Sequence, residues 1–182
     1  KTVHIYKKEL TKAGIPIDAK DDGTYTDNYE IKQMLALLRI IDNPYYNCEL
    51  MSLLTLPPYC MSPDEMAQVK LLCTSSSLYT GLRRFAEENP TAERFCAELD
   101  RFREFAAEHS VEQLIRFIYD ESELVSAIQA SYDGDKRDSN LKLLISHARC
   151  FSENGIRGLY DFLRYMDMVS SGGISLEQAS SA

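Results

Sequence analysis

Apolar residues recur along this chain at spacings of three and four, the period of an α-helix packed on one face. The clearest run is Ile31, Met34, Leu35, Leu38 and Ile41, which predicts a helix from Tyr29 to Asp42. Asp27-x-x-Glu30 reads as its capping box. Asn43-Pro44 ends it, since proline disfavours the helical region in the residue before it. A second helix is predicted from about Asn47 to Leu56, closed by Pro57-Pro58. Ser62-Pro63-Asp64-Glu65 combines a capping hydroxyl, a proline at the first helical position and an acid at the third. The helix it starts carries Met66, Val69, Leu72 and Cys73. Further helices are predicted near 77–88, 91–108, 110–120 and 121–131, with Ser110-x-x-Gln113 as another capping box. Tyr132-Asp133-Gly134-Asp135 predicts a loop, and helices at 136–152 and 155–170 follow, parted at Glu153-Asn154-Gly155.

The two ends read differently. Residues 3–13 predict a helix stopped at Gly14, which can take the left-handed conformation of a helix end. Ile15-Pro16-Ile17 predicts a short extended piece, and Asp21-Asp22-Gly23 is turn chemistry. Residues 171–182 are rich in Ser, Gly and Ala and predict a flexible tail. No period-2 run encodes a sheet, and no internal repeat of fixed period is present. The fold class is therefore all-α: a multi-helix orthogonal bundle with at most one short strand near the N-terminus, at 15–18.

Composition narrows this picture. The 182 residues are 45% hydrophobic and 26% charged, which excludes disordered and collagen-like classes. A net charge of -8 excludes a protein that coats nucleic acid or an anionic membrane with its whole surface, so any such contact must use a local patch. No apolar run approaches the roughly 18–20 residues of a membrane-spanning helix, and there is no signal peptide. Five cysteines, an odd number with no CxxC pair, predict reduced thiols packed mostly as small apolar groups in a cytoplasmic protein. The chain starts at Lys1 and runs out in a Ser- and Gly-rich segment, so it is expected to be a piece cut from something longer, or a processed product.

The residues supply no active site. There is no phosphate-cradling GxxxxGK[ST] loop, no GxGxxG, HExxH or GxSxG, and no histidine at zinc-ligand spacing from a cysteine or another histidine. Asp133-Gly134-Asp135 lacks the twelfth-position acid of a calcium loop. His147, beside Leu143, Leu144 and Ile145, reads as a half-buried structural histidine. No catalytic, cofactor-binding or metal residue is assigned.

The charges are segregated. Residues 93–135 hold four bases against eleven acids, whereas residues 136–164 hold six bases (Lys136, Arg137, Lys142, Arg149, Arg157, Arg164) against three acids. Two readings of the basic unit stand: contact with phosphates, or salt bridging to the acidic segment before it. Lys7, Lys8 and Lys12 form a smaller basic face that reads as solvated.

The punctuating residues, taken in order, resemble a known family. Glu9-Leu10 through Gly14-Ile15-Pro16 is similar to the segment after the fourth motif of UvrD/PcrA-type superfamily 1 DNA helicases. Glu30 through Asn43-Pro44 resembles the helix that follows it, and Arg137-Asp138-Ser139-Asn140-Leu141 resembles a helix start of the same family. Arg149-Cys150-Phe151 and Gly155 to Leu163 are most similar to the A subunit of AddAB (RexAB)-type helicase–nucleases. The resemblance covers about residues 4–173. Leu56-Pro57-Pro58-Tyr59 departs from a Ser-Pro pair common in related chains, and the resemblance does not extend to 74–95.

The resemblance implies the 2B region, a helical insertion in the second motor domain. It places 1–20 at the edge of that motor domain, 21–170 in the helical accessory domain and 171–182 in the tail. It implies an ATP-dependent 3′-to-5′ DNA helicase/exonuclease parent acting in recombinational double-strand break repair with a B subunit. ATP and Mg would be bound elsewhere in that parent, and this piece would have no cofactor of its own. Its expected partners are duplex DNA, held weakly through a local patch, the parent's motor domains and the B subunit, with no membrane. Arg149, Arg157 and Arg164 are the candidate DNA contacts; Gly14 is expected to cap a helix, Asn140 to cap or brace one, and Leu141 and Phe162 to pack in the core. The alternative from a different class is a free-standing helical protein-interaction module.

Overall fold

The computed structural model describes residues 25–73, 77–153 and 158–170. A 3-10 turn at Tyr25–Asp27 leads into α1 (Tyr29–Asp42), α2 (Asn47–Thr55), α3 (Pro63–Leu71), α4 (Leu78–Phe85), α5 (Pro90–Glu108), α6 (Val111–Glu121), α7 (Glu123–Gln129), α8 (Gly134–Glu153) and α9 (Leu159–Ser170). The described residues are all-α and contain no strand. The helix and strand expected before residue 18, the Gly14 cap, the 1–20 boundary and the 171–182 tail lie outside the described residues.

Local signals account for most helix starts. Ser62 and Glu65 form a reciprocal box, with the Ser62 N–H donating to Glu65 Oε2 at 2.8 Å and the Glu65 N–H donating to Ser62 Oγ at 3.3 Å. Bonds donated to it by the Ser62 N–H, the Ser62 hydroxyl and the Asn89 amide hold the Glu65 carboxyl below its ordinary range. Ser110 and Gln113 form the second box. Asn89-Pro90 is a start that periodicity passes over: Asn89 Oδ1 accepts from the Ala92 N–H at 3.0 Å, with proline at the first helical position.

Two starts differ from expectation. Asp27 does not cap α1. The N-cap is Asn28, which makes no side-chain capping bond, and Asp27 pairs with Lys32 at 3.0 Å. Glu30 is unavailable for a capping box because its carboxylate is buried and bonded elsewhere. The predicted loop at 132–135 is also shorter, since α8 already begins at Gly134. A Cβ at Gly134 would lie 2.0 Å from the Gln129 carbonyl oxygen, so the backbones of the α7 end and the α8 start meet where only glycine fits.

α1 organises the bundle. Its sequence reads as one apolar stripe, yet Ala36, Leu37, Ile40, Glu30 and Gln33 are buried along with Ile31, Met34, Leu35, Leu38 and Ile41. The reason is tertiary: α2, α5, α8 and α9 all pack on α1, so more than one face is covered. Around this axis α3 packs on α4, α4 on α2 and α5, and α8 on α6 and α7. Leu141 and Phe162 are core residues at 1% and 0% exposure, as expected. All five cysteines are free thiols. Cys96 is buried, with its thiol pushed up to about 11 by that burial, but Cys48 and Cys60 are exposed rather than packed.

Two residues of the family-like segments meet in space. Asn140 Nδ2 donates to Glu30 Oε1 at 2.6 Å across 110 residues, and the Tyr25 hydroxyl donates to the Asn140 carbonyl at 2.7 Å. Asn140 therefore braces α8 against α1 from within the helix; it does not cap one. Burial and the nearby Glu30 charge push the Tyr25 hydroxyl pKa far up, so it remains a donor. Asn140→Ala leaves a buried carboxylate without its amide donor, and a loss of about 1.5 kcal/mol is expected. Urea unfolding of Asn140→Ala, Glu30→Gln and the double variant checks this; additive losses would show that the two side chains do not act as a pair.

Candidate nucleic-acid interface

The basic unit read from the sequence separates in the fold. Arg149, exposed on α8, directs Nε to Glu112 Oε1 on α6 at 3.2 Å. Arg116, also on α6, directs its Nε to the same oxygen at 3.0 Å. One carboxylate thus sits between two guanidiniums. Its partial burial acts to raise the Glu112 pKa, but the two arginines outweigh that and hold the carboxyl below its ordinary value. Salt bridging to the acidic segment, the second reading of the basic unit, is realised at Arg149.

Arg149 lies at the junction of two grooves. One, of about 700 Å³, runs past the α5–α6 corner and is lined by His109, Ser110, Glu112, Gln113 and Ser152 among others. The other lies between α6 and α8 and is lined by Arg116, Tyr119, Asp120, Lys142, Ser146 and Arg149, with Ile145 at its apolar side. Lys142 and Arg149 are seven residues apart, so they share a face of α8. Lys142 Nζ pairs with Asp138 at 2.7 Å. Asp138 is held at about 2 by that pairing and by the Tyr119 hydroxyl that donates to it.

Arg164 belongs to another groove, formed by α1, α2 and α9 and lined by Arg39, Asp42, Tyr46, Glu49, Tyr160 and Asp167. This groove has no lining residue in common with the α6–α8 groove. Arg164 is exposed and has no ion pair among the described residues, whereas Arg39 pairs with Asp167 at 2.5 Å. Arg157 lies outside the described residues. The fold thus brings Arg116 and Lys142, not Arg164, beside Arg149. Arg116 is hidden in the sequence because its segment is acidic overall, and helical spacing alone does not show that α6 and α8 pack. The sequence signal that could have found it is Glu112 four residues before it, the spacing of an ion pair on one helix face.

His147 is half-buried on α8, edge-on to Tyr25 with ring centroids 5.6 Å apart, and its Nε2 has no hydrogen-bond partner among the described residues. Burial lowers its pKa below the ordinary 6.5. The unfolded chain therefore binds this proton more readily than the fold does. Stability is at its full value above pH 6.5 and falls as pH drops from 6.5 toward the lowered folded value. A falling urea midpoint between pH 7.5 and 5.5, flattened in His147→Leu, is expected; an unchanged slope in the variant would locate the effect elsewhere.

Among the described residues no group of three or more His, Cys, Asp or Glu side chains is arranged to hold a metal ion. No described helix is long and apolar enough to cross a membrane. What the geometry offers is an acidic helical bundle with a local cationic groove whose charges are held by intramolecular carboxylates.

No family model matches the chain. Curated relatives do. The chain is 30% identical over 179 residues to the A subunit of the ATP-dependent helicase/nuclease of Bacillus pumilus, covering 94% of this chain and 14% of that protein. The same protein of Acetivibrio thermocellus is 30% identical over 172 residues, covering 92% and 14%, and that of Leuconostoc mesenteroides is 29% identical over 171 residues, covering 94% and 14%. The chain matches a segment of an AddA-type protein, the helicase/nuclease chain that its motifs resemble. It spans about a seventh of the length of the relatives it matches.

Proposed function

We propose that this chain is a helical accessory domain of an ATP-dependent DNA helicase–nuclease acting in recombinational double-strand break repair. It carries no chemistry of its own; ATP and Mg are bound elsewhere in the parent protein. Its task is to contact duplex DNA, or the partner B subunit, and to orient the duplex for the motor domains. The observation that supports this reading best is the near-complete match of the chain to one segment of AddA-type helicase/nuclease proteins. The cationic groove at Arg149 is where a duplex would be met, with Arg157 and Arg164 as the further DNA contacts expected from the sequence.

The test uses the full-length parent protein in complex with its B subunit. Replacing Arg149, Arg157 and Arg164 together by Ala is expected to slow unwinding of a forked duplex severalfold while ATP hydrolysis on single-stranded DNA is retained. Equal loss of both activities would mean the segment belongs to the motor itself. Loss of neither, with assembly onto the B subunit weakened, would favour the protein-contact branch of the proposal.

A further inference from the structure

The carboxylate of Glu112 does something odd for a protein expected to meet DNA: it covers the cations that would do so. Arg116 and Arg149 both direct Nε to the same Glu112 oxygen, at 3.0 and 3.2 Å, so the two Nε atoms are no more than about 6 Å apart. Their terminal Nη groups have no hydrogen-bond partner among the described residues, and both side chains are about half exposed, at 47% and 54%. Glu112 is more sheltered, at 22%. Lys142 lines the same groove from the α8 side. In a chain of net charge -8, three cations line one groove in which, among the described residues, Asp120 is the lining acid and Asp138 pairs with Lys142.

We propose that Glu112 is an internal competitor for DNA phosphate. It holds the Arg116 and Arg149 guanidiniums close together and oriented in the free domain, and a phosphodiester takes its place between them. Arg116 thereby becomes a phosphate contact alongside Arg149, and Lys142, paired with Asp138 at 2.7 Å, lines the groove they face. This deepens the DNA-contact reading above and rests on it. The physical basis is that a phosphodiester, like a carboxylate, offers two acceptor oxygens to paired guanidinium N–H donors. The exchange is cheap because the arginine ends of the ion pairs it breaks are about half exposed, and ion pairs at such a surface are of small net worth. The free domain is kept from non-specific binding by the same carboxylate.

The test is fluorescence anisotropy of the 182-residue chain with a labelled forked duplex across a range of salt concentrations. Glu112→Gln is expected to bind about fivefold tighter than wild type at low salt, with a salt slope steeper by about 0.9 for each further phosphate neutralised. Arg116→Ala added to Glu112→Gln should return affinity and slope to the wild-type level or below. Glu104→Gln, the same charge change at an exposed α5 position, should gain nothing. Circular dichroism and thermal melts confirm that each variant is folded. Wild-type binding unchanged in Glu112→Gln would overturn the competitor and leave DNA contact standing. A gain in Glu112→Gln that survives Arg116→Ala, or is matched by Glu104→Gln, would overturn it as a mere charge effect. Folded wild type and folded Glu112→Gln that both fail to bind would overturn the DNA reading itself.

Discussion

Phe162→Ala is expected to destabilise this bundle by about 3–5 kcal/mol, the range for removing a buried aromatic ring. Phe162 is fully buried on α9 and meets Phe151 of α8 edge-on at 5.3 Å between centroids. α9 packs on α1 and on the 3-10 turn, so a cavity here loosens the last helix from the central one. Total stabilities of about 5–15 kcal/mol make such a loss about a fifth or more of the whole. Chemical denaturation reads it directly. A loss under about 1 kcal/mol would mean that α9 is not integral to the core.

Gly81→Ala is expected to destabilise by about 2 kcal/mol, against the usual direction for glycine in a helix. Alanine in a helix interior is favoured by about 1 kcal/mol. Here the added methyl would stand 2.1 Å from the Val69 carbonyl oxygen and 2.7 Å from Cys73 Sγ. The first of these is backbone, so α3 and α4 must separate, at a cost of about 3 kcal/mol for overpacking. The clash outweighs the propensity. Cys73→Ala removes the sulfur but not the carbonyl, so it should recover only part of the loss. A thermal melt showing Gly81→Ala as stable as the parent would contradict the close approach of the two helices.

Much of the fold is legible because its punctuation is local. Ser62-Pro63, Ser110-x-x-Gln113 and Asn43-Pro44 act within a single turn, so neighbouring residues suffice to place a boundary. Glu30 shows where that reasoning stops. Three residues after Asp27 it has the form of a capping box, yet its carboxylate is committed to Asn140, 110 residues away. Helical period likewise identifies one face of α1 and cannot show that four helices surround it. The candidate interface is legible only in part for the same reason. Arg149 stands out by local charge, whereas Arg116 sits in an acidic stretch and reaches Arg149 only because α6 packs on α8. A sequence window groups Arg164 with Arg149, and the fold places it in a different groove.

Contact with duplex DNA through a few basic side chains is the core of the proposed function. Its most direct test compares anisotropy of a labelled forked duplex with the wild-type chain and with Arg149, Arg157 and Arg164 all replaced by Ala, at low and moderate salt. Weak binding by wild type that falls with salt on a shallow slope, and is lost in the variant, is the expected result. A folded wild-type chain that leaves the duplex unbound at low salt, or a variant that binds as well as wild type, would contradict it.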